Sequence, residues 1–164
     1  NAELRGIIGR LREAIPEICI RTTLITGFPG ESEEDHEILM DFVDEMEFDR
    51  LGVFTYSAEE DTAAARMDGQ LDEEVKLTRR DEIMELQQEI SIDKSSRYVE
   101  EILEVIIEGQ AADEDALYVG RSYMDAPGVD GYVFIKSEEE LMSGDFARVR
   151  ITKALEYDLI GELI

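Results

Sequence analysis

Residues 20–39 read IRTTLITGFPGESEEDHEIL: a β-branched apolar segment, a Gly27-Phe28-Pro29-Gly30 turn, and an acidic stretch with helical spacing. Gly27 and Gly30 lack a Cβ, so the backbone there can come close to a ligand. Pro29 fixes the turn and removes one donor. Alternation along the strand puts Arg21 and Thr23 on one face and Thr22 and Leu24 on the other. A strand passing through a tight turn into a helix N-terminus is how α/β enzymes build a ligand-binding edge. Most turns of this kind only join a strand to a helix, and Arg21 as readily pairs with a surface acid. No nucleophile, base or set of metal ligands follows. Cys19, the single cysteine, can form neither a disulfide framework nor a metal cluster by itself. It is expected as a buried core thiol, and His36, with no other ligand type beside it, as a solvated helix residue. The chemistry legible here is therefore binding, and any reacting group has to come from elsewhere.

Such an edge needs a strand before the turn and a helix after it. Ile18, Ile20, Leu24 and Ile25 among threonines read as a largely buried strand over residues 18–26. Ser32 fits an N-cap, with Asp35 three residues on and acids filling the first turn. Ile38, Leu39, Phe42, Val43 and Met46 give that helix an apolar face. Upstream, Leu4, Ile7, Ile8, Leu11 and Ile15 predict an amphipathic helix over residues 2–14, ended by Pro16. DRLGVFTY, residues 49–56, is a second strand. The order α-β-α-β with short connections implies parallel strands covered by helices. Two strands leave edges that proteins normally pair or cover, so another chain or preceding sequence is expected to complete the sheet.

After a loop rich in alanine and acids (57–70), residues 71–97 carry a long helical pattern starting at Asp72, with Ile83, Leu86 and Ile90 as its core stripe. From about Ser96 the period becomes two. YVEEILEVIIEG, ALYVGRSY, GYVFIK and DFARVRITKALEYDLIGELI give five short strands, the pattern of a small closed barrel of the OB-like kind. The helices stop there, which places a boundary near residue 95. The runs ADED (112–115) and SEEE (137–140) are expected as solvated hairpin loops.

Hydrophobic residues at 43% and charged residues at 35% are enough for a core and argue against extended disorder. Sixteen Lys and Arg against 41 Asp and Glu give a net charge of −25. That surface repels phosphates and favours a basic partner, or simply solubility. No apolar run approaches the length of a membrane span. The opening NAELRGIIGRLREAI is amphipathic and begins without Met, so the chain is expected to be a piece of a longer polypeptide. A single cysteine suits the reducing cytoplasm.

With the pieces in order, the chain resembles the methylthiotransferases of the radical S-adenosylmethionine superfamily over essentially its whole length. The resemblance rests on RTTLITGFPGESEEDHE, on FTYSAEEDTAA from Phe54 to Ala64, and on a long helix leading to a C-terminal TRAM β-barrel. Within that family it is most similar to the branch that modifies an aspartate of a small-subunit ribosomal protein. Thr23 stands where the tRNA-modifying branch usually has an acid, and YVGRSYMDAPGVDGYVFI carries a GRS…DAP…DG pattern. Residues 95–164 hold 6 basic and 16 acidic side chains, net −10, whereas an RNA-binding barrel should be basic along its groove. The chain departs from the family in having Asp61 for a glycine and His36 for a phenylalanine. It also lacks the three-cysteine motif that holds a [4Fe–4S] cluster.

The resemblance implies an α/β plus all-β architecture. Residues 1–94 would be the C-terminal portion of a partial (β/α) radical S-adenosylmethionine barrel with its connecting long helix, and residues 95–164 a TRAM domain. It implies an enzyme that adds a methylthio group to the β-carbon of the aspartate, using S-adenosylmethionine and [4Fe–4S] clusters whose ligands lie outside this chain. By itself this chain is expected to be inactive. Barrel sites lie at the C-terminal ends of the strands, which implies that Gly27, Phe28, Pro29 and Tyr56 (with Ser57) line the cofactor rim. Phe28 would offer an apolar face to the adenine or the sulfonium carbons. Arg21 or Thr23 would take the carboxylate or ribose, depending on which strand face points inward. The implied partner is a basic small-subunit ribosomal protein or the ribosome, docked by the barrel and its acidic loops. No direct nucleic-acid binding by the barrel and no membrane are expected, and the implied state is a cytoplasmic monomer. The alternatives are a tRNA adenosine methylthiotransferase and a non-catalytic acidic protein-binding module.

Overall fold

The computed structural model describes residues 2–111 and 116–164; the ADED run at 112–115 lies outside the described residues. The chain divides into two compact units, Asn1–Ile90 and Ser91–Ile164.

The first unit runs α1 (Ala2–Ala14), β1 (Arg21–Thr26), α2 (Glu33–Met46), β2 (Arg50–Thr55), a 3-10 turn at Ala64–Arg66, and α3, which starts at Glu73 and extends to Ser96. β1 and β2 pair in parallel, Arg21 opposite Arg50 and Thr26 opposite Thr55. α2 starts where Ser32 closes a capping box: its hydroxyl accepts from the Asp35 N–H (3.2 Å), and the Asp35 carboxylate accepts from the Ser32 N–H (2.9 Å). The bonds from Ser32 hold the Asp35 carboxyl below its ordinary value of 3.8. At its other end Glu47 is left-handed (φ 41°), and Arg12 of α1 donates to the carbonyls of Met46 (2.5 Å) and Glu47 (2.8 Å). Those last carbonyls have no partner within the helix.

One face of the two-stranded sheet is covered. Leu24, Leu51 and Val53 pack with Val43 of α2 and with Ile83, Leu86 and Ile90 of α3, the predicted core stripe. A second cluster joins Phe42, Met46 and Phe48 to Ile8 and Ile20. The other face is open: Ile25 and Phe54, paired across the strands, are 60% and 64% exposed. This corrects the expectation of a largely buried strand over 18–26. The strand is Arg21–Thr26, only Thr26 in it is buried, and Ile18 and Ile20 precede it. The alternation places every second residue on a face that no helix covers. Five apolar side chains also differ from expectation in degree: Ile38 on α2 is exposed, and so are Leu4, Ile7 and Leu11 of the sparsely packed α1 and Ile15 just after it. Cys19 is half-buried rather than a core thiol.

The second unit closes a barrel from β3 (Ile102–Gln110), β4 (Leu117–Arg121), β5 (Val133–Lys136), β6 (Phe146–Ala154) and β7 (Leu159–Leu163). Their order is β3-β4-β5-β7-β6, and every pair is antiparallel except β5 with β7. Alternate residues turn inward: Leu103, Val105, Ile107, Tyr118, Val133, Ile135, Val149, Ile151 and Leu159 are all buried. Closure removes the open edges that the first unit keeps. The SEEE run lies in the β5–β6 connection with Glu138, Glu139 and Glu140 exposed, a solvated loop as expected but not a hairpin, because β7 lies between β5 and β6. No helix among the described residues is long and apolar enough to cross a membrane.

Candidate functional site

The turn between β1 and α2 is built on two left-handed glycines, Gly27 (φ 75°) and Gly30 (φ 86°). The two have different surroundings. A Cβ on Gly30 would meet nothing within 4 Å, whereas one on Gly27 would meet Lys76 Cγ at 2.4 Å. Close approach at Gly27 is thus already used by a side chain of α3, while Gly30 stays open. The turn closes through Glu31 N–H to the Phe28 carbonyl and Gly30 N–H to the Gly69 carbonyl, both 2.9 Å. Pro29 is buried and Phe28 is exposed. The Phe28 ring stands edge-on to Tyr56, centroids 5.3 Å apart, and the Tyr56 N–H donates to the Thr26 carbonyl at 2.8 Å, joining the two strand ends.

Three charged residues hold this arrangement. The Glu31 carboxylate accepts from the Gly27 N–H (3.0 Å) and the Thr26 hydroxyl (3.3 Å). Arg79 donates to that carboxylate (2.7 Å), to the Glu31 carbonyl (3.2 Å), and to Glu33 (3.0 Å). Burial by itself would lower the Arg79 pKa, but hydrogen bonds and charge from Glu33 and Glu31 outweigh it and leave the guanidinium more firmly protonated than usual. Lys76, also buried, donates to the Tyr56 carbonyl (3.1 Å) and to Glu73 (3.3 Å), its ammonium 5.6 Å from the Tyr56 ring centroid. An open groove of roughly 360 Å³ lies beside Arg79, lined also by Glu33, Asp72, Glu74, Thr78 and Glu82.

Gly27, Phe28, Pro29 and Tyr56 therefore come together at one end of the strands. Arg21 and Thr23 do not join them. Both are exposed on the sheet face that no helix covers, and Arg21 stands at the opposite end of β1, roughly 20 Å of extended chain from Gly27. His36 is a correction: it is 3% exposed, not solvated, with Nε2 2.7 Å from Glu82 and Nδ1 without a partner. Among the described residues no group of three or more His, Cys, Asp or Glu could hold a metal ion.

The TRAM domain family matches residues 99–164. Ribosomal protein uS12 methylthiotransferase RimO of Lachnoclostridium phytofermentans is 55% identical over 161 residues, 98% of this chain and 36% of the relative. RimO of Pelotomaculum thermopropionicum is 55% identical over 162 residues, and that of Desulfitobacterium hafniense 48% over 162, each across 99% of this chain and 36% of the relative. The chain belongs to the RimO family. It spans little more than a third of the length of these RimO relatives.

Sequence reasoning missed Lys76, Arg79 and the central position of Glu31. All three lie in acid-rich sequence where a charged side chain reads as solvent-facing. The available signal was spacing: Lys76, Arg79 and Ile83 recur at i, i+3 and i+7, so both cations share the face that Ile83 buries.

Proposed function

We propose that this chain is the C-terminal part of a RimO enzyme that transfers a methylthio group to the β-carbon of an aspartate in ribosomal protein uS12. In this reading residues 1–94 end the radical S-adenosylmethionine domain and residues 95–164 form the TRAM domain that docks the protein substrate. The observation that carries it is the 55% identity to a RimO across 98% of the chain; the turn geometry supports it.

The residues present fit an adenosyl ligand. Phe28 offers an exposed ring steadied by Tyr56, and Gly30 leaves open space where a side chain would stand. Phe28, Pro29 and Gly30 would hold the nucleoside end, with Tyr56 backing the ring. Thr23 on the open sheet face is the nearer of the two strand candidates for its polar groups, and Arg21 the farther. When bound, S-adenosylmethionine supplies the methyl group and the means of activating an unactivated carbon. The residues do not fit an iron–sulfur cluster, because thiolates hold such clusters and the chain has one half-buried cysteine. The cluster ligands belong to sequence outside this chain. The open face carrying Thr23, Ile25 and Phe54 excludes water from a site only when further strands cover it.

The anionic barrel, net −10 over residues 95–164, suits a basic ribosomal protein better than RNA. A cytoplasmic monomer without direct nucleic-acid binding completes the proposal. The test joins this chain to sequence supplying the three-cysteine motif, reconstitutes iron and sulfide, and measures the mass gain on uS12. Turnover on uS12 is expected, and it should be lost on deleting residues 95–164. Modification of tRNA but not uS12 overturns the proposal.

A further inference from the structure

We infer that Arg79 and Lys76 of α3 are positioning residues that hold the ligand-binding turn in its working shape; this rests on reading the turn as the S-adenosylmethionine edge. A loop with two glycines at positive φ is intrinsically loose. Its internal hydrogen bonds fix residues 28–31 but not the strand ends that flank them. Glu31 supplies that link by accepting from Thr26 and Gly27, and its carboxylate is nearly buried, with 12% of the side chain exposed. A carboxylate so placed requires a partner, and Arg79, itself 7% exposed, is that partner and also takes the Glu31 carbonyl. Lys76 completes the strap from one helical turn away. Its stem fills the space that a Gly27 Cβ would need, and its ammonium binds the carbonyl of Tyr56, the residue that backs Phe28. One face of one helix therefore ties together the end of β1, the turn and the end of β2. Both cations bond to the turn, to Tyr56 or to neighbouring acids, so they act on a ligand through Phe28 and Gly30 rather than by touching it.

The experiment uses the complete iron–sulfur-loaded enzyme containing this segment, with S-adenosylhomocysteine as probe. Calorimetry gives Kd, steady-state turnover gives kcat at saturating cofactor, and amide hydrogen exchange reports on residues 26–31. For Arg79→Gln the expected result is a Kd raised about tenfold or more with a much smaller change in kcat, since a turn no longer held in shape must be ordered at the expense of binding and is the same once the cofactor saturates it. Exchange at residues 26–31 should accelerate while the TRAM barrel is unchanged. Arg79→Lys, which keeps the charge but not the fork, should recover part of the affinity, and Lys76→Met should weaken binding independently. The double variant Glu31→Gln/Arg79→Gln should bind better than the product of the single effects predicts, because it leaves no buried carboxylate unpaired, Glu33 being exposed to water. If Arg79→Gln does not fold, Arg79→Lys and Lys76→Met carry the test. Wild-type enzyme that binds the probe, with variants binding it within about twofold of wild type, overturns the inference alone. Wild-type enzyme that does not bind the probe overturns the reading of the site, and the inference with it.

Discussion

Gly27 and Gly30 share a left-handed backbone but not an environment, and that difference is measurable. A Cβ at either position meets the steric penalty of positive φ for an L-residue, about 1–2 kcal/mol. At Gly30 nothing else stands in the way, whereas at Gly27 the new methyl meets the Cγ of Lys76 at 2.4 Å. The stem of Lys76 cannot retreat without giving up the Tyr56 carbonyl. Gly30→Ala should therefore destabilise the protein by about 1–2 kcal/mol, and Gly27→Ala by about 2–4 kcal/mol. Urea unfolding followed by a signal from the first unit checks the order; equal losses would mean that Lys76 does not rest on Gly27. The turn itself was legible, because Gly-Phe-Pro-Gly between an apolar run and an acid-started helix has few other readings. The division of labour between its glycines was not, since it depends on a lysine about fifty positions away.

At the scale of elements, the periodicities that anticipated α2, α3 and the five barrel strands are those that local physics enforces: a Ser32 cap, an apolar stripe, alternation by two. What escaped were charged or polar side chains placed on buried faces by tertiary packing. Arg79 and His36 both belong to the α2–α3 interface, and each finds its partners 46 or 48 residues away. His36 has an uneven fit there. Nε2 pairs with a half-exposed Glu82, while Nδ1 is buried and unpartnered, an arrangement that wastes the desolvation of one nitrogen. His36→Phe replaces that ring with an apolar one of similar size and lets Glu82 return to water. Stability should rise by about 1 kcal/mol, since the gain from removing an unsatisfied buried group exceeds the loss of one partly exposed hydrogen bond. His36→Ala, which leaves a cavity instead, should fall by about 2 kcal/mol. Thermal melts of the two variants against wild type decide it, and a loss with Phe would show that the His36–Glu82 pair stabilises the interface.

The two units of the whole molecule solve the problem of sheet edges in opposite ways, and their stabilities should differ accordingly. The barrel satisfies its strands around a full circuit and buries a continuous interior from Leu103 to Leu159. The parallel pair β1–β2 has one neighbour per strand among the described residues, and one of its faces leaves Ile25 and Phe54 more than half exposed. A two-stranded sheet draws its stability from what packs on it, here α2 and α3 on one side only. Opening of β1–β2 uncovers one packed face, the other being wet already, whereas opening any barrel strand breaks into a closed interior. Native-state hydrogen exchange on the intact chain should therefore show amides of Val105, Ile107, Val149 and Ile151 protected about a hundredfold or more beyond those of Thr23 to Ile25. The same contrast bears on function. If the open face is where further strands pack to enclose a cofactor, joining the rest of the enzyme should raise protection along β1 and β2 and leave the barrel amides as they were. Equal protection in both units of the chain alone would mean that the uncovered sheet is self-sufficient, and the face bearing Thr23 would then have no claim to be the inside of a larger barrel.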